Sequence, residues 1–381
     1  MKIKTPHYYE NFKCIASACS DSCCAGWEVD LDDESYSRYE KVEGSFGDRL
    51  RSEMSQVGEK HFTIHNKRCP FLNCENLCDI YTEMGEEALC ETCTNFPRCY
   101  EEYGSTREMA LSMACPEVVR LMLESDEHIH FNISEDGKPV SRYNDIHGDL
   151  YIALSRARAT LYHILKRTDC SVGMKLAVIL YFGDEIEKSM PKENCGRIEK
   201  CVAEYEDDIK LKSKFKAAEK HKESIATGNG QAMLKAYLNL IRECEHVSDK
   251  WQAMLDMAEA LLDCDGFYNV SEAFDNIMQN RAGEYEYFLE NLSYRYALRG
   301  VFDGHFADKT RFLGFMYILL RLLNMAWFYD KKEFDIKNQM FIMQTLSKEI
   351  EHSDENMALL WEKCQKGEGD FSTERIFSLI W

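Results

Sequence analysis

The chain has 381 residues, 45% of them apolar and 29% charged, and its 46 Lys plus Arg stand against 66 Asp plus Glu for a formal net charge of −20. That length supports two or three ordinary domains with a sizeable core, and the composition argues against long disorder. A surface so acidic repels phosphate backbones and argues against a nucleic-acid partner, which leaves solubility, or attraction of a basic protein substrate, as readings of the charge.

The N-terminus, Met1 to Asn11, is polar and lacks the apolar core of a secretory signal, so the protein is expected in the cytoplasm. In that reducing compartment 17 cysteines are not a disulfide framework. Eleven of them fall within residues 1–115, where even spreading would place about five, so the excess has a local cause. The first group is Cys14, Cys19, Cys23 and Cys24, running straight into Ala25, Gly26 and Trp27. Four thiols within eleven residues converge only if the chain curls, which Ser17, Ser20, Asp21 and Gly26 permit. His61 and His65 follow, with Phe62, Thr63 and Ile64 between them favouring a strand; surface histidines are the plainer reading than a ligand pair.

The second group is Cys69, Cys74, Cys78, Cys90, Cys93 and Cys99, and Cys115 stands apart in the run Ser112–Glu117. Ordinary buried thiols are common, but eleven clustered ones with a vicinal pair point to a soft metal. Cys74, Cys78, Cys90 and Cys93 form two close pairs across a helix-length spacer, which is zinc spacing. Eleven cysteines exceed one zinc tetrahedron, however, and an iron–sulfur cluster drawing four ligands from both groups is at least as economical. The Cys-x3-Cys-x2-Cys spacing of radical S-adenosylmethionine enzymes is absent, since Gly26 and Tyr81 hold the required positions. Arg98 and Glu117 sit in these segments and could tune a cluster or bind substrate, with a structural salt bridge as the plainer role.

Residues 1–125 thus read as a cysteine-rich, metal-stapled, irregular domain. Residues 126–148 read as a linker or loop, since Phe131 to Gly148 is polar and holds Gly137, Pro139 and Gly148. Asp145 and His147 near it are polar loop residues that could also be catalytic. Residues 149–381 read as an α-helical domain. Leu150, Leu154, Ala157, Leu161, Ile164 and Leu165 form a helical stripe, and further helices are expected around 174–188, 231–245, 251–264, 284–299, 310–329, 334–351 and 354–364, the last capped by Ser353. The apolar stretch Phe312 to Phe328 is interrupted by Gly314, Arg321 and Asn324 and reads as a buried helix rather than a membrane span. A parallel α/β sheet is not supported. There is no Gly-rich strand–turn–helix fingerprint for a dinucleotide-type methyltransferase, and Thr227–Gly230 reads as a loop. The fold is therefore expected to be mainly α.

The run Phe12–Trp27, the segments Cys69–Leu72, Leu77–Leu89, Thr92–Arg98 and Ser112–Glu117, and the downstream stretch Tyr285–Arg295 together resemble the flagellin lysine-N-methylase family, itself similar to a wider group of zinc- or iron-chelating cysteine-cluster proteins. The resemblance implies methyl transfer from S-adenosylmethionine to lysines of flagellin in the cytoplasm. It also implies Cys14, Cys19, Cys23, Cys24, Cys69, Cys78, Cys93 and Cys115 as the metal-binding cysteines, with a 4Fe-4S cluster favoured and zinc as the alternative; Cys74, Cys90 and Cys99 are additions in this chain. A lysine methylase needs a neutral amine in line with a sulfonium methyl in a water-poor site, and aromatic rings suit both cations. Catalytic residues and the cofactor pocket are not placed by the sequence. A non-enzymatic metal-binding or redox-sensing protein is the competing expectation.

Overall fold

The computed structural model describes every residue except 56–57, 138–139, 141–145, 191–194 and 226–229. Asp145, Pro139 and most of Thr227–Gly230 therefore lie outside the described residues.

The chain begins in a sheet. Strand β1 (Lys2–Pro6) lies between β5 (Thr106–Leu111), to which it is parallel, and β6 (Phe131–Glu135), to which it is antiparallel; β4 (Arg98–Tyr103) closes the order β4-β5-β1-β6. The N-terminal region is thus not wholly irregular, and the stretch expected as a linker contains a paired strand. Most of β6 is exposed, as befits an edge strand. It carries no buried apolar face to announce itself, and its partner β1 lies far away in sequence.

Between β1 and β4 sits a small separate core. Strands β2 (Val29–Asp30) and β3 (His61–Phe62) pair, and around them pack α1 (Asp33–Glu40), α2 (Gly44–Glu53), α3 (Asp79–Met84) and α4 (Glu91–Asn95). Asp32 caps α1 by accepting from the Ser35 amide at 2.8 Å. Val29, Leu31, Tyr39, Leu50, Phe62, Phe71 and Ile80 fill the centre, and the buried Tyr39 hydroxyl donates to the Ala88 carbonyl at 2.7 Å. Helix α5 (Pro116–Glu124) follows β5, with Pro116 in its first turn and Cys115 at its N-cap.

The rest is helical, as expected. In chain order come α6 (Gly148–Leu165), α7 (Val172–Glu187), α8 (Cys195–Glu206), α9 (Asp208–Ser224), α10 (Gly230–Glu243), α11 (Asp249–Asp263), α12 (Phe267–Met278), α13 (Ala282–Tyr296), α14 (Gly300–Asp303), α15 (Ala307–Lys331), α16 (Ile336–Glu351), α17 (Asp354–Lys366) and α18 (Thr373–Leu379). The Ser353 side chain accepts from the Asn356 amide and caps α17. Helix α15 is long and apolar enough to cross a bilayer by composition, yet 83% of its most apolar 18-residue stretch is buried, and it packs against α7, α11 and α17 at the centre of the bundle. A Cβ at Gly183 of α7 would stand 2.0 Å from the Thr310 hydroxyl oxygen, so the missing side chain lets α7 and α15 approach. Tyr8, Phe12, Leu111, Met113, Cys115, Val118 and Val119 of the N-terminal segment join the bundle's core. A buried ion pair crosses the same boundary: Arg158 of α6 donates to both carboxylate oxygens of Glu108 on β5, each at 2.6 Å.

Candidate metal centre and the cleft beside it

The cysteines gather where the bundle meets the N-terminal segment, and α16 arranges one half of them. Gln344 donates from one nitrogen to Asp21 and to the Ala114 carbonyl, both at 2.9 Å, which ties the loop carrying Cys19 and Cys23 to the turn carrying Cys115. One helical turn on, the buried Lys348 ammonium donates to Asp21 at 2.9 Å and to the Ser22 carbonyl at 3.0 Å. Burial alone would raise Asp21, but the Lys348 ammonium holds its carboxyl below the usual value. At the end of α16, His352 stacks on Trp27 with ring centroids 4.7 Å apart, and its Nε2 meets the Ser112 hydroxyl at 2.9 Å. Burial, helped by the charges of Arg295 and Lys348, pushes His352 down to about 4, so it is neutral at pH 7. Gly26 takes φ +105° and packs where a Cβ would stand 2.3 Å from Val247, which accounts for the glycine beside the vicinal cysteines.

The thiols fall into two neighbourhoods. Cys69 and Cys90 are buried in the small core, and Cys24, Cys78 and Cys93 pack against it. Backbone pairing sets them: the Cys69 amide donates to the Cys24 carbonyl at 2.8 Å, and Leu72 bridges Cys78. Burial pushes the Cys69 thiol up to about 12 and also raises Cys78. The Cys93 thiol donates to Cys90, which holds Cys93 protonated and lowers Cys90.

Cys14, Cys19, Cys23 and Cys115 lie outside that core. Cys14 and Cys23 are exposed and Cys19 is half-buried, while Cys115 is buried in the bundle's core. Burial raises Cys115 to about 11, with Cys19 and Cys14 adding to the rise. The two neighbourhoods touch at the vicinal pair, where the Cys23 thiol donates to Cys24 and draws Cys24 down to about 7.

The side chains of the other residues singled out by the sequence serve other partners. Cys74 is exposed on a turn whose Glu75 and Leu77 amides bond the Asn73 side chain, each at 3.0 Å. Cys99 is on β4, raised by burial and next to Arg295. His65 pairs with Glu53 at 2.6 Å and His61 with the Glu59 carbonyl at 2.9 Å, so the two serve separate partners. Glu117 makes the expected salt bridge, to Arg120 at 2.5 Å. Arg98 instead lies over the Phe12 ring, 5.1 Å from its centroid. His147 stands at the N-cap of α6.

Gln344, Lys348 and His352 are the partners that sequence reasoning did not reach. Their four-residue spacing aligns three polar side chains along one face of α16 and its C-cap, and that spacing is the available signal.

Behind Cys99 the surface opens into a cleft. Its inner part is lined by Tyr100, Tyr103, Tyr294, Arg295 and Tyr296. The outer part, about 490 Å³, is lined by Glu101, Arg299, Phe302, Asp303, Asp308, Lys309, Trp361 and Gln365. Arg299 and Glu101 face each other at 3.6 Å, both part-exposed. Lys309 is buried beneath, bonded to Asp303 at 2.5 Å and Asp308 at 2.6 Å. Phe302 is 46% exposed and stacks on Tyr103. Arg295 carries a buried ion pair to Glu351, the residue before His352, so the inner wall of the cleft and the cysteine site share one seam of the structure.

Comparison with known proteins gives this architecture a family. Residues 158–379 match the model of the FliB lysine N-methylase C-terminal domain. The chain is similar to the flagellar biosynthetic protein FliU of Salmonella muenchen, 32% identical over 133 residues that cover 33% of this chain and 79% of FliU. It is also similar to the lysine-N-methylases of Salmonella choleraesuis (strain SC-B67) and Salmonella typhimurium (strain LT2), each 30% identical over 133 residues. Those matches cover 33% of this chain and about a third of either methylase. No solved structure matches the chain. With more than half of its length matched by that domain, the chain belongs to the FliB lysine N-methylase family.

Proposed function

We propose that the protein is a lysine N-methyltransferase that acts on flagellin in the cytoplasm, takes its methyl group from S-adenosylmethionine, and carries a cysteine-ligated iron–sulfur centre in its N-terminal segment. The observation that carries this reading is the FliB match across residues 158–379, which spans nearly the whole helical bundle. The two Salmonella lysine-N-methylases supply the reaction class, and FliU the flagellar context.

The number of thiols favours an iron–sulfur centre over zinc: eleven cysteines within residues 1–115 exceed one zinc tetrahedron, and a cluster draws its four ligands from both groups. Lys348 then places a buried positive charge beside an anionic centre.

The cleft supports S-adenosylmethionine by its mixture of groups. Arg299 would hold the cofactor's carboxylate, Glu101 and Asp303 its ammonium and ribose, and the exposed face of Phe302 its adenine. When bound, the cofactor supplies an electrophilic methyl group to a neutral lysine amine.

The test is transfer of labelled methyl from S-adenosylmethionine to flagellin by anaerobically purified protein, with iron, sulfide and zinc measured on the same sample. Label on flagellin lysines, with iron and sulfide in equal amounts, is the expected result. Absence of transfer from metal-loaded protein overturns the enzyme reading. Zinc without sulfide overturns the cluster.

A further inference from the structure

We propose that the N-terminal segment holds two separate thiolate-ligated metal centres, one on Cys14, Cys19, Cys23 and Cys115 and the other on four of the small core's five thiols, Cys24, Cys69, Cys78, Cys90 and Cys93, meeting at the vicinal pair Cys23–Cys24. The inference rests on the reading above that this segment binds metal, and it divides that metal between two sites.

Order along the chain would group Cys14 to Cys24 together and Cys69 to Cys93 together. The fold regroups them. Cys24 leaves the first run, because its carbonyl accepts from the Cys69 amide at 2.8 Å and its side chain packs against the small core. Cys69 and Cys78 stand at the two ends of the loop that Leu72 closes onto Cys78. Cys93, in α4, packs against the same core. That set is enclosed by Tyr39, Phe62, Phe71 and their neighbours.

The other set rests on the bundle. Cys115 begins α5 and belongs to the large core. Gln344 and Lys348 hold the Cys19–Cys23 loop over it through Asp21, Ser22 and Ala114. A cubane centre takes four thiolates; the bundle-side set supplies four and the small core supplies five, with Cys90 buried beside Cys69. Cys23 and Cys24 are adjacent in sequence but sit on different supports, which gives the vicinal pair a purpose that a single centre would not.

The two centres differ in access. Cys14 and Cys23 are exposed, so the bundle-side centre faces solvent beside Trp27 and His352. Cys69 is buried and Cys24, Cys78 and Cys93 are partly buried, so the other centre is a staple inside the small core. The solvent-facing centre is the one placed to meet a substrate or a reductant.

The experiment uses the full chain, purified anaerobically, with metal and sulfide counted per chain and a water-soluble chelator added to follow release over time. Two centres per chain and biphasic release, about half the metal leaving fast, are expected. The double variant Cys14→Ser/Cys19→Ser should retain about half the metal and show the slow phase alone. A single centre per chain, or one-phase release with complete metal loss in that variant, overturns the division while leaving the metal-binding reading intact. Protein that carries no metal overturns both. If Cys69→Ser/Cys78→Ser fails to fold, the release kinetics of the unaltered chain still decide the matter.

Discussion

The small core and the helical bundle are held together by different means. The bundle buries long apolar helix faces around α15 and binds its few charges in pairs, such as Arg158 with Glu108 and Lys175 with Glu286. The small core has eleven buried side chains, two of them cysteine, to hold short helices and a two-residue ladder. So little apolar surface does not ordinarily sustain a fold without cross-links or metal. The lesson is that five thiols gather where the hydrophobic effect runs short, whereas the six cysteines beyond residue 115 are scattered through a bundle that has no such need.

Metal removal is the sharpest way to break this comparison, and its expected effect is the largest. Anaerobic chelation should abolish amide-exchange protection in α1 to α4 while leaving α7 and α15 protected. Retained protection in α1 to α4 would show that the small core stands without metal, and the contrast would fail.

The bundle has its own point of attack. Arg158→Met leaves Glu108 buried without its bidentate partner, which costs ~3–5 kcal/mol. Urea denaturation should show that loss in the bundle's transition. A loss below about 1 kcal/mol would mean that Lys4, 3.2 Å from Glu108, carries the compensation instead.

How much of this was legible depends on the range of the interaction. The helices around 174–188, 251–264, 310–329 and 334–351 announce themselves through apolar stripes whose partners are three and four residues away. Helix α9 does not, since only Leu211 and Ala218 of its seventeen residues are buried and the rest are largely charged or polar. The cysteine clustering was plain, because thiols are rare enough for an excess to stand out. Their regrouping was not. The bond from Lys348 to Asp21 spans 327 residues and the bond between Ser112 and His352 spans 240, and no local pattern encodes a contact at that distance. Strand β6 failed for the same reason, being a mostly exposed edge paired with the start of the chain.

The seam between the two regions can be sharpened by Gly26→Ala. The added Cβ would clash with Val247 at 2.3 Å and occupy a backbone conformation that side chains disfavour. The expected cost is ~1–3 kcal/mol. Val247→Ala in the same chain should recover the steric part and leave the backbone part. A double variant no more stable than Gly26→Ala alone would place the whole cost in the backbone.

The smallest effect is a pH dependence at the same seam. His352 is pushed from 6.5 to about 4 in the folded chain, so its neutral form is the one the fold accommodates. As pH falls from 6.5 toward 4, the unfolded chain takes up the proton first and the folded state loses stability; above 6.5 the contribution is whole. A tenfold difference in proton affinity between the folded and unfolded chains is worth ~1.36 kcal/mol. Because the ring is only partly enclosed, we expect about 1–2 kcal/mol in total after solvent screening. His352→Gln keeps a hydrogen-bonding group toward Ser112 but cannot titrate. Its stability should fall less steeply than that of the parent between pH 7 and pH 4.5, so the two denaturation midpoints converge at the acid end. Parallel curves would mean that His352 takes up its proton at an ordinary pH in the folded chain, and that the Trp27 stack does not shield it.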